Sequence, residues 1–221
     1  MSCDTHAMVV VHRAFTREFR LIGEIAAVTP ASDGEQIRRV VRHGREMLTA
    51  LHHHHHSEDE LVWPRLRSAG VDAALIDAME SQHGGISAAM DALDAVLTGW
   101  ESDPGAGETV TVAAARLHLV LSEHLHEEEH AVLPLVANIL TEPQWAELGE
   151  RGMVALPKRR SLVFLGYILE EADATERVAF LADIPGPVRL LYRFLGAPAH
   201  ARETRVLRRD LDPSLTERAV S

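Results

Sequence analysis

One spacing pattern occurs twice in this chain. His12 is followed 42 residues later by His54-x-x-x-Glu58, and His83 is followed 41 residues later by His124-x-x-x-Glu128. Each glutamate precedes a proline by six residues, in Glu58-Asp-Glu-Leu-Val-Trp-Pro64 and in Glu128-Glu-His-Ala-Val-Leu-Pro134. Residues four apart on an α-helix are offset by about 40° around the axis and about 6 Å along it, so both side chains reach one point beside the helix. His-x-x-x-Glu is therefore a natural chelating pair. Two matching half-sites imply one shared metal centre.

The apolar residues carry the same message. Met8, His12, Phe15, Phe19 and Ile22 advance by three and four and line one helical face. The same holds for Met47, Leu51, His54, Glu58 and Leu61, for Met79, His83, Ile86, Met90, Leu93 and Leu97, and for Leu117, Leu121, His124, Glu128, Ala131 and Leu135. Glycine and proline punctuation near Thr29-Pro30, Ala69-Gly70 and Pro104-Gly105 separates these segments by short connections. Short connections favour antiparallel neighbours, so the expected fold is all-α: an up-down-up-down four-helix bundle over residues 1–140. Pro64 and Pro134 are expected to kink or stop the second and fourth helices. Residues 141–221 read as a C-terminal extension of shorter helices at Glu142–Gly152, Lys158–Glu171, Ala174–Asp183 and Pro187–Gly196, followed by an Arg-rich tail. In that extension Leu190-Leu-Tyr-Arg-Phe-Leu195 has three readings: packing on the bundle, which is favoured, a homodimer contact through the C-terminal helices, or contact with a membrane surface.

Composition narrows the chemistry. Cys3 is the only cysteine of 221 residues, which excludes an intrachain disulfide, a thiolate zinc cage and a CxxCH haem attachment. A metal here must take nitrogen and oxygen ligands. Residues 1–149 hold 10 Lys and Arg against 23 Asp and Glu, and nucleic-acid binding is disfavoured. No apolar run approaches the ~18 residues of a membrane span, and Met8 to Val11 is too short for a signal sequence, so a cytoplasmic protein is expected. No Gly-x-Ser-x-Gly elbow or phosphate-binding glycine loop occurs.

The candidate metal ligands are His12, His54, Glu58, His83, His124 and Glu128. Six buried ionisable groups without compensation would each cost several kcal/mol, and a metal pair supplies that compensation. The run His52 to His56 leaves the register open, because His55/Asp59 and His56/Glu60 have the same spacing. The matched distances to Pro64 and Pro134 favour His54, with His55 second. Asp59, Glu60, Glu127 and Glu129 read as a solvated face rather than as partners of the ligands. His126 and His130 fall off the ligand stripe. Gly84-Gly85 reads as a close-packing or bending point. Glu80-x-x-His83 and Glu123-x-x-His126 match the Glu-x-x-His pattern of ferritin-like proteins, but they lie on consecutive helices and His126 is off the stripe.

These residues, from His12 through Leu133-Pro134, make the chain similar to the hemerythrin-like, or HHE cation-binding, family over roughly residues 5–140. The resemblance implies a four-helix bundle with two iron ions bridged by both carboxylates and an oxo or hydroxo group, manganese being the alternative metal. Oxygen-carrying hemerythrins have two histidines four apart on the third helix, whereas Ser87 stands four residues after His83 here. A five-histidine site is accordingly not expected. The four-His, two-Glu set resembles bacterial relatives associated with peroxide, nitric oxide or oxygen chemistry. The leading expectation is redox chemistry on hydrogen peroxide or another small oxidant. Reversible binding or sensing of dioxygen or nitric oxide is the alternative, with iron storage third.

Overall fold

The computed structural model describes residues 3–154 and 157–211, and the described residues are helical without a strand. Four long helices are α1 (His6–Val28), α2 (Gly34–Leu61), α4 (Ala73–Ser102) and α5 (Gly107–Glu127), with the short α3 (Trp63–Ser68) between α2 and α4. Helix α1 packs on α2 and α5, and α4 packs on the same two, so the four close a ring around a shared interior. Polar caps start two of them: Asp33 accepts from the Gln36 N–H at 3.0 Å and Asp72 from the Ala74 N–H at 3.0 Å. Gly70, at φ 81°, makes the left-handed turn that sends the chain from α3 into α4.

Both prolines mark a break. Helix α2 ends at Leu61, and Pro64 occupies the first turn of α3, where its missing N–H costs nothing. After α5 the chain makes a π-helical turn over Glu128–Val132, in which the Leu133 N–H reaches back five residues to the Glu128 carbonyl, before α6 (Leu133–Ile139) begins with Pro134 in its first turn. That turn adds one residue to the period. The buried positions in this stretch after Glu128 are Val132, Leu133 and Val136, whereas Ala131 and Leu135, which an unbroken helix would bury, are only partly buried.

The extension forms α7 (Glu142–Val154), α8 (Lys158–Glu170), α9 (Ala174–Ala182), α10 (Gly186–Leu191), a π-helical turn over Tyr192–Gly196, and α11 (Ala197–Leu207). The Arg-rich stretch after Gly196, read as a tail, is thus helical to Leu207; residues 212–221 lie outside the described residues. Val163, Tyr167, Leu207 and Leu211 enter the same apolar core as Phe15, Phe19, Leu51 and Leu97. Among Leu190 to Leu195 only Tyr192 is buried; Leu190 is 57%, Phe194 63% and Leu195 58% exposed. The favoured packing reading does not hold for those residues.

Candidate metal centre

On each long helix the polar site residue sits between two apolar layers. Met8, Leu61, Trp63, Met79 and Val132 belong to one buried cluster, and Phe15, Leu51, Ile86 and Leu121 to another. Helical periodicity places His12, His54, His83 and His124 between these layers, each within about a turn of an apolar neighbour on either side. Apolar walls above and below exclude water from the layer.

The structure brings the six expected residues together and adds a seventh. His55, Glu58, His83 and His124 can each direct a donor atom to within 4.8 Å of the others, and His12, His54 and Glu58 do the same, so Glu58 belongs to both groups. Its Oε1 lies 3.2 Å from His54 Nε2 and its Oε2 3.5 Å from His83 Nε2. Glu128 completes the arrangement from the opposite helix, with Oε2 at 3.5 Å from His12 Nε2 and 3.8 Å from His124 Nε2. Each carboxylate faces one histidine of either half of the pattern.

His54 and His55 do not exclude each other. Successive residues on a helix are 100° apart, but the two rings swing into neighbouring parts of the layer with centroids 5.4 Å apart, and His55 stacks on His83 at 4.3 Å. Five imidazoles therefore line the layer. Ser87 itself is exposed on α4, and the fifth ring comes from α2 instead. Gly84 and Gly85 are also exposed, and a Cβ added at either would meet no atom within 4 Å, so neither serves close packing. Glu123 and His126 are exposed, which removes the ferritin-like alternative.

Two acidic residues read as solvated have specific partners. Asp59 accepts from His83 Nδ1 at 2.7 Å and from the Trp63 indole N–H at 2.8 Å, and Glu129 accepts from His12 Nδ1 at 2.9 Å. Gln82 Oε1 accepts from His124 Nδ1 at 2.9 Å. With Nδ1 protonated, each Nε2 carries its lone pair into the layer. The sequence holds a signal for the first two, since Asp59 and Glu129 each directly follow a central glutamate.

Six inward-facing atoms lack a hydrogen bond, whereas His83 Nε2 and His124 Nε2 lie 3.2 Å apart. His12 Nε2, His54 Nε2, His55 Nε2, both Glu58 oxygens and Glu128 Oε2 are buried without a hydrogen bond among the described residues. Burial, with Glu128 nearby, pushes the Glu58 carboxyl well above its ordinary range, and burial also raises Glu128. Burial among other imidazoles drives His54 and His55 well below theirs, and takes His124 down to about 3. For Asp59 burial acts upward, but the hydrogen bonds from His83 and Trp63 outweigh it and keep the carboxylate ionised. Without a cation the interior holds carboxyl oxygens and imidazole nitrogens buried without a hydrogen bond, an arrangement that costs on the order of 1–3 kcal/mol per group. Divalent cations reverse that balance by taking imidazole and carboxylate lone pairs together. The donor set fits two first-row ions.

A groove of about 600 Å³ between α1 and α5 runs alongside the layer and is lined in part by His12 and Glu129. Arg13, Arg17 and Arg20 and the acidic Glu24, Glu129 and Glu171 all line it, so the charged side chains of its lining balance.

The sequence model of the family described as Hemerythrin HHE cation binding domain matches residues 3–136. No match was found among curated proteins or among solved structures.

Proposed function

We propose, from the premise that this chain belongs to the hemerythrin HHE cation-binding domain family, that it holds two iron ions and acts on hydrogen peroxide or a similar small oxidant. The observation that carries the reading is the set of six unpartnered inward atoms on His12, His54, His55, Glu58 and Glu128. In this reading α1, α2, α4 and α5 form the up-down-up-down bundle, and Glu58, Glu128, His12, His54, His83 and His124 would hold the two ions. His55 is a fifth candidate histidine, in reach of Glu58, His83 and His124. Manganese would fit the same donors.

Bound iron supplies an electron store and a Lewis acid; the protein supplies everything else. Asp59, Glu129 and Gln82 fix three ring orientations, and the apolar layers keep bulk water from the carboxylates.

The test is metal analysis of the purified protein with an optical spectrum before and after peroxide. Two irons per chain and rapid oxygen evolution are expected. A stable coloured adduct without oxygen evolution, bleached reversibly under vacuum, would instead support binding or sensing of a diatomic gas.

A further inference from the structure

The run His52 to His56 contributes His54 and His55 to the buried layer, and its other members remain to be explained. His52 and His56 are exposed on α2. They stand four residues apart, with their rings parallel to within 2° and centroids 6.0 Å apart. One turn further along the same face, Glu60 Oε1 lies 3.3 Å from His56 Nε2. The other oxygen of Glu60 is engaged by Arg151 of α7, which holds the carboxylate in place and leaves Oε1 toward the histidine. His53 sets its ring edge-on to His52 at 5.6 Å.

We propose that His52, His56 and Glu60 form a second, solvent-facing site for a divalent transition-metal ion, from which the buried centre is loaded. Two imidazoles at helical spacing four need only rotate about their side-chain torsions to direct nitrogens to one point, and exposed rings do so freely. Two neutral nitrogen donors and one carboxylate suit borderline ions such as ferrous iron, nickel or zinc. Exposure removes the desolvation cost that makes the inner layer selective, so binding here is weak and fast. The neighbouring His55 ring belongs to the inner cluster, so an ion released at His56 is one residue along the chain from a buried donor. The loading role rests on the buried reading above; the external ligand set does not.

The test titrates nickel into iron-filled protein by calorimetry. One nickel per chain is expected, lost in the double variant H52A/H56A and weakened in E60A. Nickel binding that is the same in H52A/H56A overturns the site. Ferrous iron uptake into metal-free protein, followed optically, is expected to slow in H52A/H56A with the final iron content unchanged; an unchanged rate overturns the loading role. If the buried centre takes no iron at all, the nickel titration of metal-free protein still reports on the external site, so the two failures are distinct.

Discussion

The Asp59 carboxylate on α2 accepts the Nδ1 proton of His83 on α4 at 2.7 Å and so points His83 Nε2 at Glu58. Glu129 performs the same service for His12 on α1 at 2.9 Å. The residue following each central glutamate thus orients the lone histidine of a facing helix. Loss of such a partner lowers metal affinity about 10–100-fold in well-studied metal sites. Asp59→Ala and Glu129→Ala are each expected to weaken iron binding by that factor in chelator competition, with helix content unchanged. Wild-type affinity in both would contradict the assignment.

Glu58 is fully buried and neither of its oxygens has a hydrogen bond, with His54 Nε2 at 3.2 Å and His83 Nε2 at 3.5 Å. Replacing a buried, uncompensated polar group with an apolar one of similar size is neutral or stabilising, by about 1–3 kcal/mol. Glu58→Leu is therefore expected to raise the denaturation midpoint of the metal-free protein while abolishing the extra stability that iron confers. A metal-free variant less stable than wild type would show that the carboxylate has partners the present arrangement does not provide.

A buried polar network joins α1 and α2 to the C-terminal helices. Glu18 accepts from Arg17 at 2.7 Å, Arg208 at 2.7 Å and His43 at 2.8 Å, while Arg208 also holds Glu170 at 2.6 Å. Burial opposes ionisation of Glu18, but Arg17 and Arg208 prevail and hold it well below the ordinary carboxylate range. Burial likewise opposes ionisation of Glu170, but His200, Arg17 and Arg208 take it down to about 2. Folded values below the unfolded one, 4.5, mean that this stabilisation is complete above pH 4.5 and is lost as pH falls toward about 2. Hydrogen exchange in α8 and α11 is expected to accelerate over that window. Glu18→Gln should flatten the dependence; an equally steep acid limb in the variant would assign it elsewhere.

Gly166 on α8 sits against His200 on α11. A Cβ at Gly166 would lie 2.5 Å from His200 Cγ and 2.6 Å from its Cβ, closer than atoms can pack. Overpacking of this kind costs about 1–3 kcal/mol. Gly166→Ala is expected to lower the melting temperature without changing iron content, since no proposed ligand touches this contact. Unchanged melting would mean that α11 shifts freely on α8.

The helical segments and the placement of His12, His54, Glu58, His83, His124 and Glu128 on apolar stripes were legible because a helix repeats every 3.6 residues, and a local repeat is written in the chain itself. The turns at Pro64 and Pro134 were legible for a similar reason, as proline acts on its own backbone. That His55 joins His54 in the layer rather than replacing it was not, because it lies 100° around α2 from His54 and only the facing helices decide whether that direction is interior. The roles of Asp59 and Glu129 were hidden for the same cause: each is defined by a histidine on another helix. The exposed Leu190, Phe194 and Leu195 show the converse, an apolar stripe that no neighbour covers among the described residues.

By itself, then, the sequence determined an all-helical chain with a doubled nitrogen-and-oxygen ligand pattern, since spacing along one helix depends only on local geometry. Tertiary structure alone decided that five imidazoles share the layer, which carboxylates aim them, and that Glu18 locks the C-terminal helices to α1 and α2. Those outcomes depend on distances between residues far apart in the chain, which no periodicity encodes.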